Sequence, residues 1–305
     1  MILDSYFFST LATKFVSVVF TQQRDGFSDF TQREDLTRMR DRRLYKTLAA
    51  LLFCVAATAT ASAQDFQRSY TLAPGGSISV SSVSGDINIL GYEGNAVTVT
   101  AYKEGRDRDL VEVEDLSTQN SVSVRARYPN NCNCNASLRF EVRVPRSSNY
   151  NFNFDKISTA SGNIKAEGVS GRLHLNTASG NVTLQSVGGE IRASTASGTV
   201  RVRDAAGSVS ANSASGDVDV ELTRVEGDGD MRFSTASGDV HVRLPASLDA
   251  RVDISTVSGS IDTNFAIEVK ENKYGPGSSA HGQLGSGSRS LKISSASGDV
   301  SLKSM

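Results

Sequence analysis

Along the second half of the chain, apolar residues stand at every other position in short runs that are reset every nine residues. Between Ile157 and Gly216 each reset carries a glycine: Gly162, Gly171, Gly180, Gly189, Gly198, Gly207 and Gly216. Two and four residues after Gly162 come Ile164 and Ala166; after Gly180, Val182 and Leu184; after Gly198, Val200 and Val202. The intervening glycines are followed in the same way by Leu173 and Leu175, Ile191 and Ala193, and Val209 and Ala211. A period of two predicts strands with one face on a core and the other in water. The glycines are of two kinds. Gly162, Gly180, Gly198 and Gly216 follow Ala-Ser, whereas Gly171, Gly189 and Gly207 follow Val-Ser, Val-Gly and Ala-Ala. The repeat is therefore eighteen residues, with two unlike strands per coil. The fold class this predicts is all-β, a parallel β-solenoid (β-helix) in which two sheets face one another across a narrow apolar core. Its coils hold about 18 residues, and right-handed winding is favoured because parallel crossovers take that hand. One coil cannot bury its own apolar face, but stacked coils can.

The corner of each coil reads Ser or Thr, a small residue, Ser, Gly, then a small polar residue and a β-branched one. Its copies put structural turns at Gly85, Gly162, Gly180, Gly198, Gly216, Gly238, Gly259 and Gly298. Counting two back from the glycine predicts that Ala160, Ala178, Ala196, Ala214, Ala236 and Ala296 point inward, with Val257 in the same place. The serine before the glycine is expected to bond the turn backbone. Outward positions should form ladders. Arg201 should neighbour Asp219 and Arg172 should neighbour Glu190 one coil on, pairs that contribute roughly 0.2–1 kcal/mol each.

Residues 64–157 are less regular and read as N-terminal solenoid coils, and 158–305 as the regular array. Four extra residues around Arg224-Val225-Glu226-Gly227 mark an insertion. Leu244-Pro245-Ala246-Ser247 echoes Val144-Pro145-Arg146-Ser147. Residues 265–288, rich in Gly and Ser towards their end, read as an inserted loop or small hairpin.

The N-terminus carries a targeting pattern. Met39 to Lys46 is basic, Leu48 to Ala59 is an apolar run too short to span a bilayer, and Ala61-Ser62-Ala63 fits a signal-peptidase site. Residues 39–63 are thus expected to be a signal peptide cleaved between Ala63 and Gln64, with Met39 the initiator and 1–38 a spurious or disordered extension. After cleavage no transmembrane span is expected. Export makes oxidation of Cys132 and Cys134 to a disulfide plausible chemistry, although a bridge over one residue is strained.

From Gln64 onward 24 basic residues face 27 acidic ones, a net charge of −3, which offers no argument for nucleic acid. Asp86, Asp217, Asp239 and Asp299 stand just after corner glycines, where calcium-binding β-rolls carry acidic ligands. Asn163, Asn181, Thr199 and Ser260 fill the same place. Calcium wants six to eight oxygens, so these residues read as turn formers. His174 and His241 lie at outward strand positions and His281 in the inserted loop. No catalytic, metal or cofactor-binding residue is singled out, and no cofactor is implied.

The S-[TS]-[AV]-S-G-[DNST]-[VI] motif, the V-P-x-S lead-in and the ending from Gly285 to Val300 resemble the DUF4097 family of bacterial β-strand-repeat proteins. The resemblance covers roughly residues 70–305. It implies an exported, non-enzymatic β-helical domain of the adhesin type, periplasmic or on the cell surface, whose partner is an envelope or surface component, protein or glycan. Two other classes stand beside it: an envelope-stress sensor or regulator that binds a peptide or partner protein through loop 265–288, and a polysaccharide-active enzyme.

Overall fold

The computed structural model describes residues 64–146, 151–226, 229–271 and 276–305. The expected extension, signal peptide and Ala63 lie outside these residues, and Gln64 is the first described. The described chain is all-β apart from one short 3-10 turn at Arg108–Leu110, and no described helix is long and apolar enough to cross a membrane.

Each regular coil contributes one strand to each of two stacks. The first stack holds the strands that run up to the Ser-Gly corner, among them Ser170–Ser179 and Gly188–Ser197. The second holds the short strands that leave it, such as Ile164–Glu167 and Val182–Gln185. Neighbours pair in parallel with like residues opposed: Leu173 with Ile191, Leu184 with Val202, Thr177 with Thr195. Along the strands of the regular coils Val, Ile, Leu and Ala alternate with polar residues, and the inward apolar set is buried, including Ile164, Leu173, Leu175, Val182, Leu184 and Phe233. Burial of each large side chain contributes roughly 1.5–3 kcal/mol.

Three expectations need correcting. The first concerns the inward residue at the corner. Ala160, Ala178, Ala196, Ala214, Ala236 and Ala296 are exposed, and so is Val257. The residue before each is buried instead: Thr159, Thr177, Thr195, Ser213, Thr235, Thr256 and Ser295. The reason is parity. These residues continue the alternation of the strand that leads into the corner (Leu173, Leu175, Thr177), and nine is odd, so counting back across the glycine lands on the wrong face. Among the described residues, the hydroxyl of the serine before the glycine makes no hydrogen bond. Each buried hydroxyl donates to the corner-glycine carbonyl of the adjoining coil: Thr159 to Gly85, Thr177 to Gly162, Thr195 to Gly180, Ser213 to Gly198, Thr235 to Gly216, Ser295 to Gly238 and Thr256 to Gly298, at 2.8–3.1 Å. Where the residue is threonine its methyl adds apolar bulk, while in every case the hydroxyl satisfies a part-buried carbonyl. Thr195→Val keeps the shape and deletes the donor, and is expected to cost about 1–2 kcal/mol. A lower urea midpoint at unchanged slope would show this; an unchanged midpoint would mean the carbonyl needs no donor.

The second correction concerns coil order, which departs from chain order at both ends. The strands Ser77–Ser84 and Ile87–Tyr92 lie inside the stack. On one side they pair with Phe152–Ser161 and Ile164–Glu167, on the other with Ser121–Arg127 and Ser137–Pro145. At the far end the C-terminal strands Ser290–Ser297 and Val300–Ser304 fill a slot between earlier coils. Their neighbours are Met231–Ser237 and Val240–Leu244 on one side and Ala250–Ser258 and Ile261–Thr263 on the other. The chain therefore steps over one coil twice, after Pro145 and after Leu244. These are the two places where the echoed Pro-x-Ser sequence stands, and proline, lacking an N–H, ends a ladder without leaving a donor orphaned.

The third concerns the caps, which are antiparallel rather than further parallel coils. Val97–Glu104 pairs antiparallel with Ser137–Pro145, and Phe66–Tyr70 with Val97–Glu104. Glu112–Asp115 covers Ser121–Arg127 in the same sense. At the other end the 265–288 insertion takes the hairpin form of the two expected, Glu268–Glu271 with Ser278–Leu284, laid antiparallel on Ala250–Ser258. His281 accordingly sits in a strand opposite Asp253, with Nδ1 3.3 Å from its carboxylate. Reversing strand direction ends the parallel register that another coil would need to continue, one way of managing an exposed sheet edge.

Candidate functional site

Regular coils return from the second stack to the first through a tight corner, such as Ser186 between Val182–Gln185 and Gly188–Ser197. That corner needs a left-handed residue, and Ser186 (φ 51°) and Asp204 (φ 49°) both adopt it. After Val218–Arg224 the insertion replaces the tight corner, and the chain re-enters the first stack only at Met231. Two polar hollows open beside it. One, of about 450 Å³, is lined by Gly171, Arg172, Gly188, Glu190 and Glu226 among others. The second, of about 490 Å³, is lined by Glu190, Arg192, Ser208, Ser210, Asp230 and Arg232 among others. Glu190 belongs to both.

Side-chain length makes the second hollow a trough. Ser208 and Ser210 lie in register with Glu190 and Arg192 on one side, and Ser210 with Arg232 on the other. Two short hydroxyl residues thus run between two walls of long charged ones. Glu190 is clamped by Arg172 at 3.3 Å and Arg192 at 2.6 Å, and Arg192 also approaches His174 Nε2 at 3.2 Å. Asp230 accepts the Ser290 N–H at 2.9 Å. Arg232 is exposed and carries no ion pair among the described residues. Such a row of fixed donors and acceptors can hydrogen-bond a polar polymer. With both its oxygens held by arginines, Glu190 is committed to positioning those arginines.

The outer face of the second stack carries a different cluster. Asp219 sits beside Arg203, which donates Nη1 at 2.7 Å and also Nη2, with Arg201 at 3.7 Å and Arg243 at 4.0 Å. The expected Arg201–Asp219 and Arg172–Glu190 neighbours are thus both in place. Burial raises the Asp219 pKa, but the hydrogen bond from Arg203 and the charges of Arg203, Arg243 and Arg201 outweigh it and hold the carboxyl below its ordinary value of 3.8. A depressed folded-state pKa means that this contribution is complete above pH 3.8 and is lost as pH falls further, through the folded-state value. Asp219→Asn should therefore lower stability at pH 7 and narrow the gap to the parent below pH 3.8. Urea melts at pH 7 and pH 3 test this; a gap that does not change with pH would rule out the charge as its source.

The predicted turn glycines form one column. A Cβ at Gly162 would meet the Gly85 carbonyl, and the series continues through Gly180, Gly198, Gly216, Gly238 and Gly298 to Gly259. Beside it runs a second column, made by the small polar residues that follow the corner glycines and were read as turn formers. The Oδ1 atoms of Asp86, Asn163, Asn181, Asp217, Asp239 and Asp299 accept the N–H of the equivalent residue one coil on, at 2.7–3.0 Å. Hydrogen bonds from the Ser260 backbone and then its hydroxyl hold Asp299 below the ordinary carboxylate range. These oxygens are engaged along the stack, and no metal-capable cluster occurs among the described residues. Cys132 and Cys134 come together as a disulfide pair, Cα atoms 5.1 Å apart, in the loop that takes the place of the Ser-Gly corner in the outermost N-terminal coil.

The family profile of Toastrack DUF4097 matches residues 74–303. No curated protein matches the chain. Solved structures similar to it include a candidate adhesin from Bacteroides fragilis, 12% identical, with a TM-score of 0.40, covering 79% of this chain and 96% of its own. Another candidate adhesin, from Parabacteroides distasonis, is 14% identical with a TM-score of 0.35 and the same coverage. A candidate cell adhesion protein from Clostridium sporogenes is 14% identical, with a TM-score of 0.26, covering 79% of this chain and 99% of its own.

Proposed function

This chain belongs to the Toastrack DUF4097 family, and from that premise we propose that it is an exported, non-enzymatic β-solenoid of right-handed, 18-residue coils that binds an envelope or surface component. The observation that carries the reading is the serine-floored trough between the Glu190–Arg192 and Asp230–Arg232 walls. The buried faces and corners repeat from coil to coil, whereas the outward rows change, and recognition belongs where the sequence varies. A glycan or an extended peptide suits a surface of hydroxyl and guanidinium donors with few apolar anchors. The signal-peptide pattern read in residues 39–63 supports export, and the Cys132–Cys134 pair fits an oxidising compartment.

The test is binding of the purified full chain to isolated cell-envelope material, alongside fractionation of the native protein. We expect saturable binding that Arg192→Ala with Arg232→Ala weakens at least ten-fold while the thermal melt stays put. A protein confined to the cytoplasm, or binding indifferent to both arginines, would end this reading.

A further inference from the structure

Neither the trough nor the stack makes use of Cys132 and Cys134. They stand in the loop of residues 128–136, between the strands Ser121–Arg127 and Ser137–Pro145. Its tip reads Asn130-Asn131-Cys132-Asn133-Cys134-Asn135; the asparagines are exposed and the two cysteines between them are partly so. Both ends of the loop are tied down by other means. The Tyr128 hydroxyl donates to the Ser84 carbonyl at 3.3 Å. The Asn135 N–H donates to the Asp107 carboxylate at 2.8 Å, and the Asn135 carbonyl accepts the Asp107 N–H at 3.0 Å. Ala136 and Leu138 then enter the core. The bridge is therefore not what holds the loop on its coil. It also joins cysteines only two positions apart, and the restraint a disulfide places on the unfolded chain shrinks with the length it closes. What it does is shorten the backbone. The two Cα atoms are 5.1 Å apart, against roughly 6.6–7.2 Å for such a pair in extended chain, so opening the bridge lets the segment lengthen. Exposed disulfides that hold their backbone off its relaxed length are the labile ones.

We infer that Cys132–Cys134 is an exchange-active disulfide that takes two electrons from a dithiol of a partner protein. A partner thiolate attacks one bridge sulfur. The S–S bond between partner and chain forms, the Cys132–Cys134 bond breaks, and one cysteine leaves as a thiolate. The partner's second thiol then gives up its proton and attacks its own neighbour's sulfur in the mixed disulfide, which releases the other cysteine. The partner ends as a disulfide and the chain as a dithiol, richer by the two electrons and the two protons the partner gave up. A dithiol is needed because the first cysteine released stays one residue from the mixed disulfide. It attacks back and expels a monothiol, at an effective concentration that a second free thiol does not match. Only a thiol carried on the attacker itself competes. This site does not depend on what the serine-floored trough binds.

Thiol trapping on the native, oxidised full chain tests this: timed reduction, a quench with N-ethylmaleimide, and intact mass to count the alkylated cysteines. The probes are reduced thioredoxin, dithiothreitol and glutathione at equal thiol concentration. Thioredoxin and dithiothreitol should each open the pair about ten-fold faster than glutathione or more. The reduced chain should keep the Tm of the oxidised one, and so should the double variant Cys132→Ser with Cys134→Ser. Should the double variant fold poorly, the melt of the reduced wild-type chain decides whether the bridge is a staple. Cysteines that alkylate before any reductant is added, glutathione as fast as the dithiols, thioredoxin no faster than glutathione, or a melt lowered by reduction overturns the proposal.

Discussion

Deleting residues 289–305 is expected to abolish cooperative unfolding of the whole C-terminal third, although it removes only the last coil of the chain. In a solenoid stacked in chain order, such a truncation would trim one end and leave the rest paired. Here the deleted strands pair on both sides, with Met231–Ser237 and Val240–Leu244 on one and Ala250–Ser258 and Ile261–Thr263 on the other. The loss includes the fully buried Leu291, Ile293, Val300 and Leu302, roughly 6–12 kcal/mol at 1.5–3 kcal/mol each. That is comparable with the entire stability of a typical domain, about 5–15 kcal/mol. Thermal melts with hydrogen-exchange mapping decide it. A truncated chain that melts like the parent would show that the outer coil has closed onto Met231–Ser237, so that the slot is not required.

Gly198→Ala should be among the most damaging single substitutions at a corner. Gly198 has φ 145°, and a Cβ there would lie 2.2 Å from the Gly180 carbonyl oxygen and 2.7 Å from its carbon. Neither atom can move without shifting the whole column, because the Thr195 hydroxyl and the neighbouring strands hold that carbonyl in place. Strain and clash together are expected to cost upwards of about 4 kcal/mol, which for a domain of this size lowers Tm by about 10 °C or more. Ala196→Gly, two residues away on an exposed position, is the control and should cost about 1 kcal/mol or less. Equal losses from the two would mean that close backbone approach is not what reserves the corner for glycine.

Most of the architecture was legible because backbone pairing in a repeat translates directly into period. Alternation marked the strands, the glycines at nine-residue spacing marked the corners, and the change in what precedes them separated the two stacks. What was not legible is long-range. The identity of a coil's neighbour depends on which strand is nearby when the slot forms, and equivalent repeats offer nearly equivalent edges. One signal was present all the same. Thr263, which breaks the apolar rule, belongs to the coil on the outside of the stack, where Ile261 too is only half-buried. The Thr column was hidden by a parity error rather than by missing information. The candidate site was only half legible: the insertion at 224–227 was visible as extra length, but the serine-floored trough needs Asp230 and Arg232 brought beside residues some forty positions earlier.

The slot filled by Ser290–Ser304 also governs when folding can finish. Coils stacked in chain order could assemble one by one as a chain emerges from a ribosome or a translocation pore. This chain must hold a place between two completed coils for a segment that arrives last, and Ser295 reaches Gly238 across a sequence separation of 57 residues. Contacts of such range are slow to form. A chain folding from its N-terminal side therefore keeps this slot open until Ser290–Ser304 is in place. A polypeptide interrupted before Ser290 leaves Met231–Ser237 and Ala250–Ser258 without the strand that joins them.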